Sequence, residues 1–127
     1  MNVREVSRMN SGRQFVSAAD ARQSQAAQWT EAQFQSLVID LARRLGWRCY
    51  HTHDSRRSVP GFPDLVLVHA DHGLMFRELK RANGGRVTPQ QHEWLDALTN
   101  AGQNAAIWKP QHYLDGTILK ELTGKKA

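Results

Sequence analysis

The chain has 127 residues, room for one domain, with 40% hydrophobic and 23% charged side chains, as in an ordinary globular protein. Its single cysteine, Cys49, excludes an internal disulfide framework and a multi-cysteine metal site. No apolar run approaches the roughly 18 residues of a membrane span, and none near the start resembles a secretory signal, so a cytoplasmic protein without membrane association is expected. Lys and Arg total 17 against 12 Asp and Glu, a net charge of +5, and twelve of the cations are Arg. That balance points to a polyanionic partner, most often nucleic acid.

Residues 1–28 are rich in Gln, Ser, Ala and Arg and poor in large apolar side chains. They read as a flexible basic arm, with a short helix allowed after Ser17. Residues 29–127 form the expected domain. Thr30 and Gln33 make a capping box, Trp29 and Phe34 a hydrophobic staple, and Phe34, Leu37, Val38, Leu41 and Leu45 recur at helical spacing. This predicts a helix from Glu31 to about Leu45, stopped by Gly46. Trp47–Thr52 reads as a strand, and 53–61 as a polar, basic loop ending in a turn. Pro63–His69 is nearly continuous in apolar residues, as in a strand buried on both faces. A hairpin turn at Ala70–Gly73 leads to a return strand over Leu74–Arg81. Thr88, Pro89 and Gln91 open a second capped helix that runs to Gly102. Ala105–Lys109 reads as a strand stopped by Pro110, and Tyr113–Leu122 as a final helix. Trp29, Trp47, Trp94 and Trp108 fall in or beside apolar stripes and are expected mostly in the core, and Cys49 is expected to be an inert strand residue. The order helix, strand, strand, strand, helix, strand predicts an α/β domain with one mixed sheet flanked by helices.

The chemistry concentrates at Pro63-Asp64 and Glu78-Leu79-Lys80. Glu78 and Lys80 are two apart on one strand and therefore share a face. Asp64 starts the strand before it. Two carboxylates and an amine converging there could bind a hard divalent cation, with Lys80 holding or deprotonating a water beside a phosphorus. Asp64 joins that face only if the hairpin has the right parity: a two-residue turn at Asp71-His72 separates the carboxylates, whereas a three-residue loop or a bulge unites them, so an odd loop or a bulge is expected near residues 70–73. From the residues alone, an ion pair at a solvated sheet edge explains these charges equally well. His51, His53, Arg56, Arg57 and Ser58 precede the Pro63-Asp64 pair with cations and a hydroxyl suited to DNA phosphate contacts. A zinc site on the two histidines is disfavoured by the lack of cysteines.

Pro63-Asp64 with Glu78-x-Lys80 resembles the PD-(D/E)xK nuclease signature. The wider string, with Glu31, residues 51–68, FRELK (76–80), TPQQHEWL (88–95) and the segments around 101–110, resembles the VRR-NUC family of virus-type replication–repair nucleases over roughly residues 29–122. The resemblance implies a restriction-endonuclease-like core. It implies metal-binding roles for Asp64 and Glu78, a catalytic role for Lys80, a third carboxylate ligand from Glu31, and a place for Gln91 near the site. Glu31 also suits the first turn of its helix, and Gln91 the capping box, without any catalytic role. The implied activity is endonucleolytic cleavage of DNA with Mg²⁺ or Mn²⁺. The implied substrate is branched DNA, four-way junctions among the candidates, in replication or repair in a phage or bacterial host cytosol. A non-catalytic DNA-binding module and an RNA-directed nuclease are the rival readings. A homodimer is also expected, with Leu114, Ile118 and Leu122 as its candidate interface.

Overall fold

The computed structural model describes residues 17–52 and 58–124. Ser17 caps α1 (Ala18–Ala27) by accepting from the Asp20 N–H at 3.1 Å. The short helix allowed after Ser17 is thus present, and Ala26 is its buried residue. In α2 (Glu31–Arg44) the capping box closes both ways: the Gln33 N–H donates to Thr30 Oγ1 at 3.1 Å, and the Thr30 N–H to Gln33 Oε1 at 2.9 Å. Trp29 stacks on Phe34, centroids 6.3 Å apart, as the staple requires. Its fully buried stripe is Phe34, Val38, Ile39 and Ala42, while Leu37, Leu41 and Leu45 are half-buried. The chain leaves α2 through Gly46 at φ +91°, a backbone that side-chain-bearing residues rarely adopt.

Strands β1 (Arg48–His51), β2 (Leu65–His69), β3 (Gly73–Leu79) and β4 (Asn104–Trp108) form one sheet in the order β1-β2-β3-β4. The first two pairings are antiparallel. β3 and β4 are parallel, as they must be when joined by a crossover helix, α3 (Pro89–Asn100). The open mixed sheet flanked by helices is the predicted class. His69 pairs with Gly73, so Ala70, Asp71 and His72 make a three-residue connection.

The final segment differs from expectation. Instead of one helix over Tyr113–Leu122 there are two, α4 (Pro110–Leu114) and α5 (Thr117–Thr123). Gly116, at φ +85°, turns the chain between them, and the Thr117 N–H donates to Asp115 Oδ1 at 2.9 Å. This bend aims Ile118 and Leu122 into the core, where they are 0% and 1% exposed. They are therefore unavailable as a dimer interface, and Leu114 is half-buried.

The odd-numbered side chains Leu65, Leu67, Met75 and Leu79 pack with α2, Trp108 and α5 in one hydrophobic cluster. The Trp47 Nε1–H donates to the Leu122 carbonyl at 2.9 Å and ties α5 to the start of β1. On the other face Phe62 meets Phe76 and Trp94 edge-on, at 6.1 and 5.1 Å. Trp47 and Trp108 are buried and Trp29 and Trp94 half-buried. Cys49 is half-buried on β1, and burial pushes its thiol pKa up, away from the thiolate. α1 packs on α4. No helix among the described residues is long and apolar enough to cross a membrane.

Candidate active site

The three-residue connection sets the parity on which the site depends. With Leu65 opposite Arg77, extending the register by one residue places Asp64 opposite Glu78. Directly opposed antiparallel residues share a face, with Cβ atoms about 5 Å apart. Lys80, two residues beyond Glu78, lies on the same face, and its N–H donates to the Trp108 carbonyl at 3.1 Å, carrying the β3–β4 pairing past the end of β3. Asp64 is held twice: its carbonyl accepts from the Thr52 N–H at 3.2 Å and its Oδ2 from the Leu79 N–H at 2.7 Å. The carboxylate is thereby fixed at the mouth of the hairpin.

Glu78 is 2% exposed and Lys80 5%. The Glu78 Oε2 is buried with no hydrogen-bond partner. Leaving a charged oxygen so placed is costly, and the Glu78 carboxyl answers by holding its proton. Its pKa is pushed up to about 9, first by burial, then by a hydrogen bond and charge repulsion from Asp64. Lys80 opposes the shift and Glu31 adds to it. Asp64 and Glu78 are thus a close carboxyl pair that retains a proton at neutral pH when nothing else compensates it.

Glu31 sits in the first turn of α2, exposed, and lines a cleft of about 370 Å³ together with Lys80 and Arg81. Gln91 lines a second cleft, of about 500 Å³, with Asp64 and Thr52. Its Oε1 accepts from the Thr88 N–H at 2.9 Å, so that oxygen is committed to the cap of α3. Of the five residues expected at the site, Glu31 and Lys80 thus line one cleft and Asp64 and Gln91 another, while buried Glu78 meets Asp64 across the β2–β3 pair. Among the described residues no three His, Cys, Asp or Glu side chains already form a cage for a metal. The donor set still fits a hard divalent ion: a close carboxylate pair with one buried oxygen unpartnered, and a third carboxylate near enough to act on Glu78.

Of the expected phosphate-contacting loop, His53, Arg56 and Arg57 lie outside the described residues. Ser58 is exposed. His51 pairs with Leu65, so the register puts it on the Leu65 face and not on the face of Asp64.

One buried charge escaped sequence analysis. Arg77 is 0% exposed, packed with its guanidinium 4.8 Å from the Trp108 ring centroid. Its Nη1 donates to the carbonyls of Phe76 and Asn104, and its Nη2 to Asn104 Oδ1 and Glu121 Oε1. Glu121 also accepts from the Trp108 Nε1–H at 3.0 Å. The signal was present: the alternation of β3 that puts Glu78 and Lys80 on one face puts Arg77 with Met75 and Leu79 on the other.

The sequence profile of the VRR-NUC domain matches residues 10–110. The fold is also similar to two solved structures. One, titled "VRR_NUC domain protein", has a TM-score of 0.59 at 20% identity, covering 77% of this chain and 92% of that one. The other, titled "VRR_NUC domain", has a TM-score of 0.59 at 21% identity, covering 70% and 94%. At these identities the likeness is one of fold. No sequence among curated proteins matches the chain.

Proposed function

The chain belongs to the VRR-NUC family of nucleases, and on that premise we propose that it is a metal-dependent endonuclease acting on DNA. The observation that carries this is the placement of Asp64 opposite Glu78, beside Lys80, with the buried Glu78 Oε2 left without a partner. A binding module gains nothing from carboxylates facing phosphate, which argues against the non-catalytic reading.

Asp64 and Glu78 would hold Mg²⁺ or Mn²⁺, with Glu31 as a third carboxylate. When bound, such an ion polarises the phosphate and lowers the pKa of an attacking water. The chain's own residues supply the rest. The Leu79 N–H fixes the Asp64 carboxylate through its Oδ2. Glu78 would release its retained proton to water on taking up such an ion. Lys80 orients the water or stabilises the charge that develops on the phosphate oxygens. Gln91, pinned through its Oε1, has its amide N–H₂ left to donate beside Asp64. His53, Arg56, Arg57 and Ser58 belong to the segment proposed to grip the DNA backbone, and His51, at the end of β1, precedes it. Residues 29–127 carry this chemistry, and residues 1–28 are an accessory arm.

The proposed substrate is branched DNA in replication or repair, in a phage or bacterial cytoplasm. Resolving a four-way junction takes two matched nicks, which a two-fold homodimer places in register. Cleavage of linear, flapped and four-way DNA, with a matched RNA set, tests the reading in Mg²⁺ and in Mn²⁺. Cutting of branched DNA is expected to exceed cutting of linear DNA. Preferential cutting of RNA would replace the DNA assignment, and no cutting by wild type would overturn the enzyme. Light scattering at micromolar protein should give a dimer mass, and a monomer mass would overturn the dimer alone. Arg56→Ala and Arg57→Ala should each lower the salt slope of DNA binding by about one.

A further inference from the structure

Past Lys80 the chain leaves β3 through Arg81 to Arg86 and a pair of glycines. Gly84 has φ +77°, and a Cβ there would stand 3.0 Å from Arg81 Nη2, so the Arg81 guanidinium lies folded across the turn. A Cβ on Gly85 would come within 3.1 Å of both the Lys80 Cβ and the Arg81 carbonyl. The turn therefore sits directly on the proposed catalytic lysine, and a side chain at Gly85 would have to push its neighbours aside by a few tenths of an ångström. Two clefts adjoin at this turn, of about 370 and 340 Å³, sharing Gly84, Gly85 and Arg86. The first runs from Glu31 and Lys80 to Arg86, and the second from Arg86 to Lys109.

The charge along this track changes sign. Its Glu31 end is the carboxylate end of the proposed metal site. Its far end holds Arg81, Arg86 and Lys109. Among the described residues none of these three cations is ion-paired, and the N–H groups of Gly84, Gly85 and Arg86 donate to no protein acceptor. Unpaired cations around exposed backbone N–H groups on a glycine turn make a concavity suited to an anion. Its position against Lys80, which Gly85 packs on, selects which anion: a phosphate covalently continuous with the one being cut.

We propose that the Gly84–Gly85 turn, with Arg81, Arg86 and Lys109, is a subsite for the non-reacting phosphates of the DNA strand as it leaves the active site past Lys80. The proposal rests on the nuclease reading. It gives the strand a path over the loop between β3 and α3 and toward the N-terminus of α4. Gly84 and Gly85 let the backbone approach, and the cations neutralise successive phosphates without touching bases.

The test is DNA binding by the full chain in EDTA, read by fluorescence anisotropy of a labelled duplex across a salt series. Arg86→Ala and Lys109→Ala should each lower the slope of log affinity against log salt by about 0.9. The loss should be the same for unrelated sequences, and Arg86→Lys should restore the slope because the charge is kept. Matched thermal melts establish that the variants fold; Arg86 is exposed and Lys109 half-buried. Wild-type slopes in both alanine variants would overturn the subsite. The nuclease reading is judged separately, by cleavage with the wild type: lowered slopes without any cleavage would sink the enzyme and leave a phosphate-binding track, whereas cleavage with unchanged slopes would sink the track alone.

Discussion

Strand β3 carries two buried ionisable groups side by side in sequence, Arg77 and Glu78, 0% and 2% exposed, on opposite faces of the sheet. Arg77 is closed: its two terminal nitrogens make four hydrogen bonds, it pairs with Glu121 at 2.9 Å, and only its Nε lacks a partner. Glu78 is open: one oxygen has no partner, and its carboxyl hydrogen-bonds to another carboxyl, that of Asp64. Equal burial thus hides opposite states. The partners of a buried charge, not its depth, separate a structural ion from one kept for a ligand.

The largest effects should fall on the open face and on activity. Asp64→Asn, Glu78→Gln and Lys80→Ala should each lower cleavage by at least about 100-fold, with little change in the thermal melt. Near-wild-type cleavage by Lys80→Ala would remove it from the mechanism. The closed face should answer in the opposite currency. Arg77→Met should cost on the order of 3 kcal/mol of stability by chemical denaturation, since it strips Asn104, Glu121 and Trp108 of their shared partner. Molecules that remain folded should still cut DNA. Loss of cutting without loss of stability would mean the two faces are not separable.

Titration sharpens the contrast. Between the ordinary carboxyl range and pH 9, folded Glu78 keeps a proton that the unfolded chain has lost. Stability of the metal-free protein should therefore fall as pH rises through that window. Glu78→Gln should flatten the fall, and Mg²⁺ should offset it by taking the place of the proton. Melts recorded from pH 5 to 9 with and without Mg²⁺ check this, and an identical pH profile in Glu78→Gln would refute the assignment. The smallest effect is expected from deleting residues 1–28. Among its described residues only Ala26 is buried, so the loss should be about 1 kcal/mol by denaturant titration, with cleavage retained.

Elements whose causes lie within a few residues were legible in the sequence. Both capping boxes span Thr30–Gln33 and Thr88–Gln91, and their hydrogen bonds close within those four residues. The helices they start, the four strands and the α/β class follow from such local signals and from the alternation of apolar residues. The candidate site was legible as a set of positions, because Glu78 and Lys80 share a face at any register. That Asp64 joins them was expected only on condition of an odd loop or a bulge near residues 70–73, which the three-residue connection satisfies.

That parity was decided by the tertiary structure, through the pairing of His69 with Gly73. So was the split of the last helix: helical spacing described Leu114, Ile118 and Leu122 as one stripe, but Gly116 breaks it and the core takes the last two. So was the ion pair of Arg77 with Glu121, 44 residues apart. The sequence by itself determined which residues carry charge, cap helices and alternate along strands, because those properties act over one turn or one pleat. Only the fold decided which charges found partners and which were left without one, because a partner is a matter of distance through space and not along the chain.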